Sequence, residues 1–158
     1  MTQEHHYKVK TVWTGNRGTG TNSLKSYDRS HTSSIDGKPD LQLTTDNPAV
    51  GDKSKLNPED LLVTAIASCH MLSYLYVCAI EGVIVLEYID NATGVMLDLG
   101  EKGGHFKSVT LNPRVTVADS SMISKANELH HKAREICYIA NSVNFEARCE
   151  PTCSANQI

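Results

Sequence analysis

Asn57-Pro58-Glu59-Asp60-Leu61-Leu62-Val63-Thr64-Ala65-Ile66-Ala67-Ser68-Cys69-His70, running on to Ile80-Glu81-Gly82, is the stretch on which the architecture turns. Asn57 is a residue type that caps free helical amides, and Pro58 suits the first helical position. Glu59 and Asp60 fall where the helix dipole favours negative charge. The pattern predicts a helix that runs to about Glu81 and stops at Gly82. From Leu61 to Ile80, about 20 residues carry no formal charge, which is the length a bilayer span requires. Against a span stand His70 near the centre, Thr64, Ser68 and Ser73 around it, acidic residues at both ends, and no Lys or Arg cluster. A helix apolar on every face is also the centre of a soluble fold, and that is the expectation here, with no membrane.

Outward from this helix the chain reads as strands. Upstream, His6 to Trp13 places Tyr7, Val9, Thr11 and Trp13 on one face. Gly15, Gly18 and Gly20 mark turns, a strand is expected near Ser23 to Arg29, and Asp36-Gly37 is a hairpin signal followed by alternating Leu41 and Leu43. Thr44 to Leu56 is polar and reads as a loop. Downstream, Val83 to Asp98 is rich in β-branched residues with Gly94 as a break. Gly103-Gly104 is a turn, and His105 to Val117 returns as a strand. A second helix begins near Asp119 or Ser120, with Met122, Ala126, Leu129, Ala133 and Ile136 as a narrow apolar stripe. Ser142 to Cys149 reads as a last strand.

The chain has 158 residues, of which 40% are hydrophobic and 21% charged, too apolar for a disordered chain and sized for one domain. The expectation is a single α+β domain over residues 1–158, with 1–5 and 151–158 as tails. Antiparallel strands are expected to cover two long helices. A formal charge of −3 and only 6% aromatic residues argue against nucleic acid. The N-terminus has no apolar signal segment, and five cysteines without repeated spacing do not suit a disulfide framework. A reducing cytoplasm with free thiols is expected. The all-apolar helix asks for more cover than one short chain supplies, which predicts an obligate homodimer.

Taken alone, Cys69 and Cys137 are small core residues as readily as nucleophiles. A reactive thiolate needs a nearby cation or aligned donors. Cys69 and His70 are adjacent, so on a helix they point about 100° apart, and His70 is a poor base for its neighbour. An Arg from a loop or another chain suits that role better. His70 reads as a satisfied core histidine, with a supporting role at the thiol as the alternative. Cys78 reads as core. Cys149 and Cys153 are a conceivable zinc pair, but His5-His6 and His130-His131 add no complete ligand spacing, and no metal is expected. Arg114 and Arg134 read as surface charges.

Three segments resemble one family, the two cysteine contexts carrying most of the likeness. Asn57-Pro58-Glu59-Asp60-Leu61-Leu62 with Ala65 and Ala67-Ser68-Cys69 is similar to the signature of the osmotically induced protein C and organic hydroperoxide resistance (OsmC/Ohr) family, in which a reactive Cys follows the Glu by ten residues. His131-Lys132-Ala133-Arg134-Glu135-Ile136-Cys137 resembles its second Cys, late in a second helix. Trp13-Thr14-Gly15-Asn16-Arg17-Gly18 resembles its opening strand and turn.

The resemblance implies an OsmC-like fold, antiparallel sheets enclosing two central helices in an intertwined homodimer, with a thiol-dependent peroxidase acting on organic hydroperoxides. Cys69 would be the peroxidatic thiol, Cys137 the resolving thiol, and Glu59 the carboxylate that positions an active-site Arg. Arg17 and Arg29 are both candidates for that Arg. The reductant would be a dithiol or a lipoylated protein, with no cofactor. Ten residues of helix rise about 15 Å, so Glu59 acts on Cys69 only through such an Arg; otherwise it merely decorates a helix N-terminus. His70 departs from the family pattern, where an apolar or aromatic residue follows the Cys. The alternatives are a binding protein for a small hydrophobic ligand and a thiol redox sensor on the same fold.

Overall fold

The computed structural model describes residues 3–156, and its contacts gather into two units, Met1–Leu61 and Leu62–Ile158. Residues 1, 2, 157 and 158 of the expected tails lie outside the described residues.

In the first unit, β1 (Lys10–Trp13), β2 (His31–Ser34) and β3 (Leu41–Leu43) form an antiparallel sheet in that order. Trp13 faces His31, which faces Leu43. The turn between β2 and β3 carries Gly37 at φ 73°, as the Asp-Gly signal predicts. The first strand is shorter than expected, starting at Lys10 rather than His6. The segment Ser23 to Arg29 is not a strand. The Ser26 hydroxyl donates to the carbonyls of Gly20 and Ser23, a local alternative to ladder pairing, and only Asn16 and Tyr27 form a bridge. A Cβ at Gly15 would lie 1.9 Å from the Asp28 carbonyl oxygen, so only glycine fits there.

Helix α1 spans Pro58–Ile80. Its start is a reciprocal cap: the Asn57 side chain accepts from the Asp60 amide at 2.7 Å, and the Asp60 carboxylate accepts from the Asn57 amide at 3.2 Å. At the other end Gly82 takes φ 75°, and the Val83 amide reaches back to the Cys78 carbonyl at 2.9 Å, a Schellman closure that needs glycine. The helix is long and apolar enough to cross a membrane by length and composition. It nevertheless buries one defined face, Ile66, His70, Tyr74, Val77 and Cys78. Leu72, Tyr76 and Ile80, spaced four apart, stay 60–62% exposed.

In the second unit, β4 (Val85–Asp90), β7 (Pro113–Val117) and β9 (Thr152–Ala155) form one sheet. A second sheet holds β5 (Thr93–Asp98), β6 (Gly104–Leu111) and β8 (Glu146–Cys149). The expectation of antiparallel strands holds for β4–β7 and β5–β6, but β6–β8 and β7–β9 are parallel, so both sheets are mixed. The expected strand from His105 to Val117 is two strands in two sheets. Asn112 is the switch: its amide donates to the Asp90 carboxylate at 2.7 Å and its side chain to the Asn91 carbonyl at 3.0 Å, and Pro113 has no N–H for a continuous ladder. Glu150-Pro151 makes the matching switch between β8 and β9, so Thr152–Ala155 is a paired strand and not a tail. Gly94 lies inside β5, and the break falls at Asn91-Ala92.

A 3₁₀ turn at Ser120–Met122, capped by Asp119, leads into α2 (Ile123–Ile136), slightly later than expected. Ala126, Leu129 and Ala133 of the predicted stripe are buried against Tyr74, Val77 and Cys78 of α1 and Val115 and Val117 of β7. A second cluster gathers Ile66, Val109 and Leu111 with Phe106 and Phe145.

Glu81, past the end of α1, pairs with two lysines of α2, Lys125 at 2.8 Å and Lys132 at 2.7 Å. Hydrogen bonds from both lysines, then their charges, pull its carboxyl down to about 2 from an ordinary 4.5. Because the folded value is the lower one, this contribution is full above about pH 4.5 and fades as pH falls towards 2. Thermal melts should therefore show Glu81→Gln less stable than the parent at pH 6. The gap should close between pH 4.5 and 2 and shrink in high salt. Parallel melting curves across that range would refute the pairing.

Candidate functional site

Cys69 lies one residue before the buried His70 of α1, so it points away from the face that carries His70 and Tyr74. Cys137 follows the last residue of α2, where the backbone leaves the helix at φ −74°, ψ 107°. The turn beyond it is held closed. The Asn141 amide donates to the Cys137 carbonyl at 3.0 Å, and the Asn141 side chain donates to the Glu135 carbonyl at 2.8 Å. Arg134, expected to be a plain surface charge, donates to the Asn141 side chain at 3.2 Å and so belongs to this closure.

The two sulfurs lie 2.8 Å apart, with the Cys137 thiol donating to Cys69, and both cysteines are free thiols. Their exposure differs. Cys137 is fully buried, whereas Cys69 is half-buried and opens onto a cleft of about 840 Å³ with Ala65, Leu72, Tyr76, Ile136 and Tyr138. Burial first, and then the hydrogen bond to Cys69, push the Cys137 thiol up to about 11, so it keeps its proton at neutral pH. One thiol is reachable, the other sits behind it as a proton-bearing partner, and the cleft before them is mostly apolar.

His70 is buried and faces elsewhere. Its Nε2 lies 3.1 Å from Nδ1 of His130, and the Cys149 sulfur approaches these two atoms at 3.5 Å and 3.7 Å. Burial, helped by the Arg134 charge, pushes His70 down to about 4. Burial, then His70 and His131, push His130 down to about 3, so both rings are neutral at pH 7. Burial also pushes the Cys149 thiol up to about 12. His130 and Cys149 are partners that sequence spacing did not supply. Cys153, the other half of the conceivable zinc pair, packs instead against the α1–α2 core, where Cys78 is also buried as expected.

The remaining candidates lie in the first unit. Arg17 is tied to the carbonyls of Lys25 and Ser26 and pairs with Asp28 at 3.9 Å. Arg29 lies over the Tyr27 ring, 4.1 Å from its centre, and donates to the carbonyls of Leu24 and Tyr27 at 2.8 Å. Arg29 and Glu59 line one cleft with Trp13, Tyr27 and His31, and Glu59 Oε2 is buried there without a hydrogen-bond partner. Arg17 does not line that cleft.

The family described as OsmC-like protein matches residues 51–152, a span that includes the α1 start, Cys69 and Cys137. The chain belongs to the OsmC-like family. It is similar to an OsmC-like protein of unknown function from Vibrio cholerae, at 26% identity and a TM-score of 0.83, covering 94% of this chain and all of that one. An organic hydroperoxide resistance protein OsmC from Legionella pneumophila shares the fold at 18% identity and a TM-score of 0.69, covering 97% and 99% of the two chains. An organic hydroperoxide resistance protein from Elizabethkingia anophelis does so at 17% identity and a TM-score of 0.66, covering 98% and 100%. No curated protein matches the chain. The OsmC-like α+β fold, with small antiparallel and mixed sheets and two helices, is thereby established for this chain.

Proposed function

We propose that this OsmC-like protein is a thiol peroxidase that reduces organic hydroperoxides through Cys69 and Cys137. The observation that carries the reading is the pair of sulfurs 2.8 Å apart, with only Cys69 open to an apolar cleft. The Cys69 thiolate attacks the terminal oxygen of R–O–O–H, the O–O bond breaks, and the departing alkoxide takes a proton to leave as R–OH. Cys69 becomes a sulfenic acid. Cys137 attacks that sulfur, water departs, and a Cys69–Cys137 disulfide forms before further oxidation can occur. A dithiol, free or carried on a lipoylated protein, returns two electrons and two protons by exchange.

The leaving alkoxide calls for a guanidinium. The resemblance offers Arg17 and Arg29, and the cleft shared by Arg29 and the unpartnered Glu59 carboxylate favours Arg29, with Glu59 as its positioning residue. The exposed stripe of Leu72, Tyr76 and Ile80 supports a homodimer, since such a row stays wet in a lone chain. A cytoplasmic setting suits free thiols.

The test is a mass measurement after one equivalent of cumene hydroperoxide. Each chain should lose two hydrogens, and peptide mapping should place the new bond between Cys69 and Cys137. A bond at Cys149 and Cys153 instead, or none, overturns the reading.

A further inference from the structure

A second constellation lies apart from the redox pair. His70 comes from α1, His130 from α2 and Cys149 from β8, and one donor atom of each falls within 4.8 Å of the others. We propose that these three residues form an N₂S site for a zinc-class divalent cation, with the fourth coordination position open to water or another small ligand. The site uses neither Cys69 nor Cys137, so it is independent of the peroxidase reading.

Spacing supports the assignment. Ligands placed tetrahedrally at normal zinc distances sit about 3.3 Å apart for two nitrogens and about 3.6 Å for nitrogen and sulfur. The observed separations are 3.1 Å for nitrogen to nitrogen, and 3.5 Å and 3.7 Å for sulfur to the two nitrogens. Donor chemistry narrows the ion. Two imidazoles and a thiol, without a carboxylate in the cluster, suit zinc and disfavour magnesium or calcium.

The cluster is also short of hydrogen bonds. His70 and His130 are buried, yet they share one bond with each other, while His70 Nδ1 and His130 Nε2 have no partner. The unpartnered atoms are the outer ones, free to carry the ring protons, while the inner nitrogens have only each other and the Cys149 sulfur, and a cation would occupy the point on which these three inner atoms converge.

Loading the site balances simply. The rings lie within 9° of parallel and meet edge to edge across the hydrogen bond. A cation entering from the Cys149 side replaces that bond, each ring turning by roughly 35° so that its inner nitrogen points at the ion instead of at the other ring. The N–H proton held between the rings moves to an outer nitrogen, and Cys149 releases its thiol proton to solvent as the metal–sulfur bond forms. No electron is transferred. Cys149 is half-buried and gives the ion its route in.

Cobalt(II) is the probe, because a cobalt–thiolate bond gives a charge-transfer band in the near ultraviolet and tetrahedral coordination gives strong visible d–d bands. The metal-stripped, reduced full chain should bind one equivalent of cobalt with a thiolate charge-transfer band, and zinc should displace it. Cys69→Ser and Cys153→Ser should keep the band. Cys149→Ser, whose fold is checked by circular dichroism, should lose it and bind about a hundredfold more weakly or less. The wild-type titration needs no variant to fold: absence of the band in that protein overturns the proposal. So does a band that survives Cys149→Ser or disappears with Cys69→Ser, the latter assigning the metal to the redox pair.

Discussion

Cys69→Ser is expected to abolish turnover of cumene or tert-butyl hydroperoxide with a dithiol present, by roughly three orders of magnitude or more. The hydroxyl that replaces the thiol is a poor nucleophile at neutral pH, and no other thiol takes its place. Cys137 is fully buried, and burial with the hydrogen bond to Cys69 holds it at about 11, so it keeps its proton. Cys78 is buried in the α1–α2 core, and Cys153 packs against that core, away from the cleft. Cys149 belongs to the His70–His130 cluster. The companion variant separates the two roles. Cys137→Ser should still react once with peroxide, because Cys69 and its cleft are intact. Its sulfenic acid then has no neighbour to condense with, so it should be trapped by dimedone and pass on to sulfinic acid under excess peroxide. If both variants lose the first reaction equally, Cys137 does more than resolve. If neither does, the protein is not a peroxidase at Cys69. A sensor would show the same first oxidation with slow recovery, and a binding protein would be indifferent to Cys69→Ser, so steady-state rates distinguish all three.

What the sequence showed and what it hid divide along physical lines. Local chemistry was legible. Asn57 and Asp60 announce the start of α1, and Gly82 its end, because caps are made by residues within a few positions of each other. The hairpin at Asp36-Gly37 was legible for the same reason. Parallel pairing was not, since β8 and β9 meet β6 and β7 across long stretches of chain that leave no periodic trace. Thr152–Ala155 reads as tail because its Thr, Cys, Ser and Ala are small, and only the partner β7 makes them a strand.

At the site, Cys69 and Cys137 were readable through family resemblance, although they lie 68 positions apart. His130 and Cys149 were not, because each looks ordinary in its own neighbourhood and becomes a donor only where two helices and a strand converge. The one local clue was His70, a polar residue in the middle of an otherwise apolar helix, which a buried position obliges to find a partner. Adjacent helix positions explain how one short segment serves both constellations. Cys69 turns toward the open cleft and Cys137, while His70, about 100° around, turns into the core.

The largest effect on stability is expected at Tyr74, one turn beyond His70. Its side chain is fully buried, its hydroxyl donates to the Ala126 carbonyl of α2 at 3.1 Å, and its ring stacks on His130 with centres 3.9 Å apart. The same ring touches Tyr88 of β4 at 5.8 Å between centres. Tyr74 thus joins α1, α2 and a sheet at one point, and burial pushes its phenol far above the usual range, so it stays neutral at any working pH. Tyr74→Ala should cost about 3–5 kcal/mol, the loss typical of a large aromatic removed from a packed core. Tyr74→Phe keeps the packing and loses one hydrogen bond, so it should cost about 1 kcal/mol. Urea denaturation of both variants reads the difference directly, since the midpoint moves while the slope holds. A small loss in both would mean that the core closes around the gap. Equal and large losses would mean that the hydroxyl, not the ring, ties the helices together.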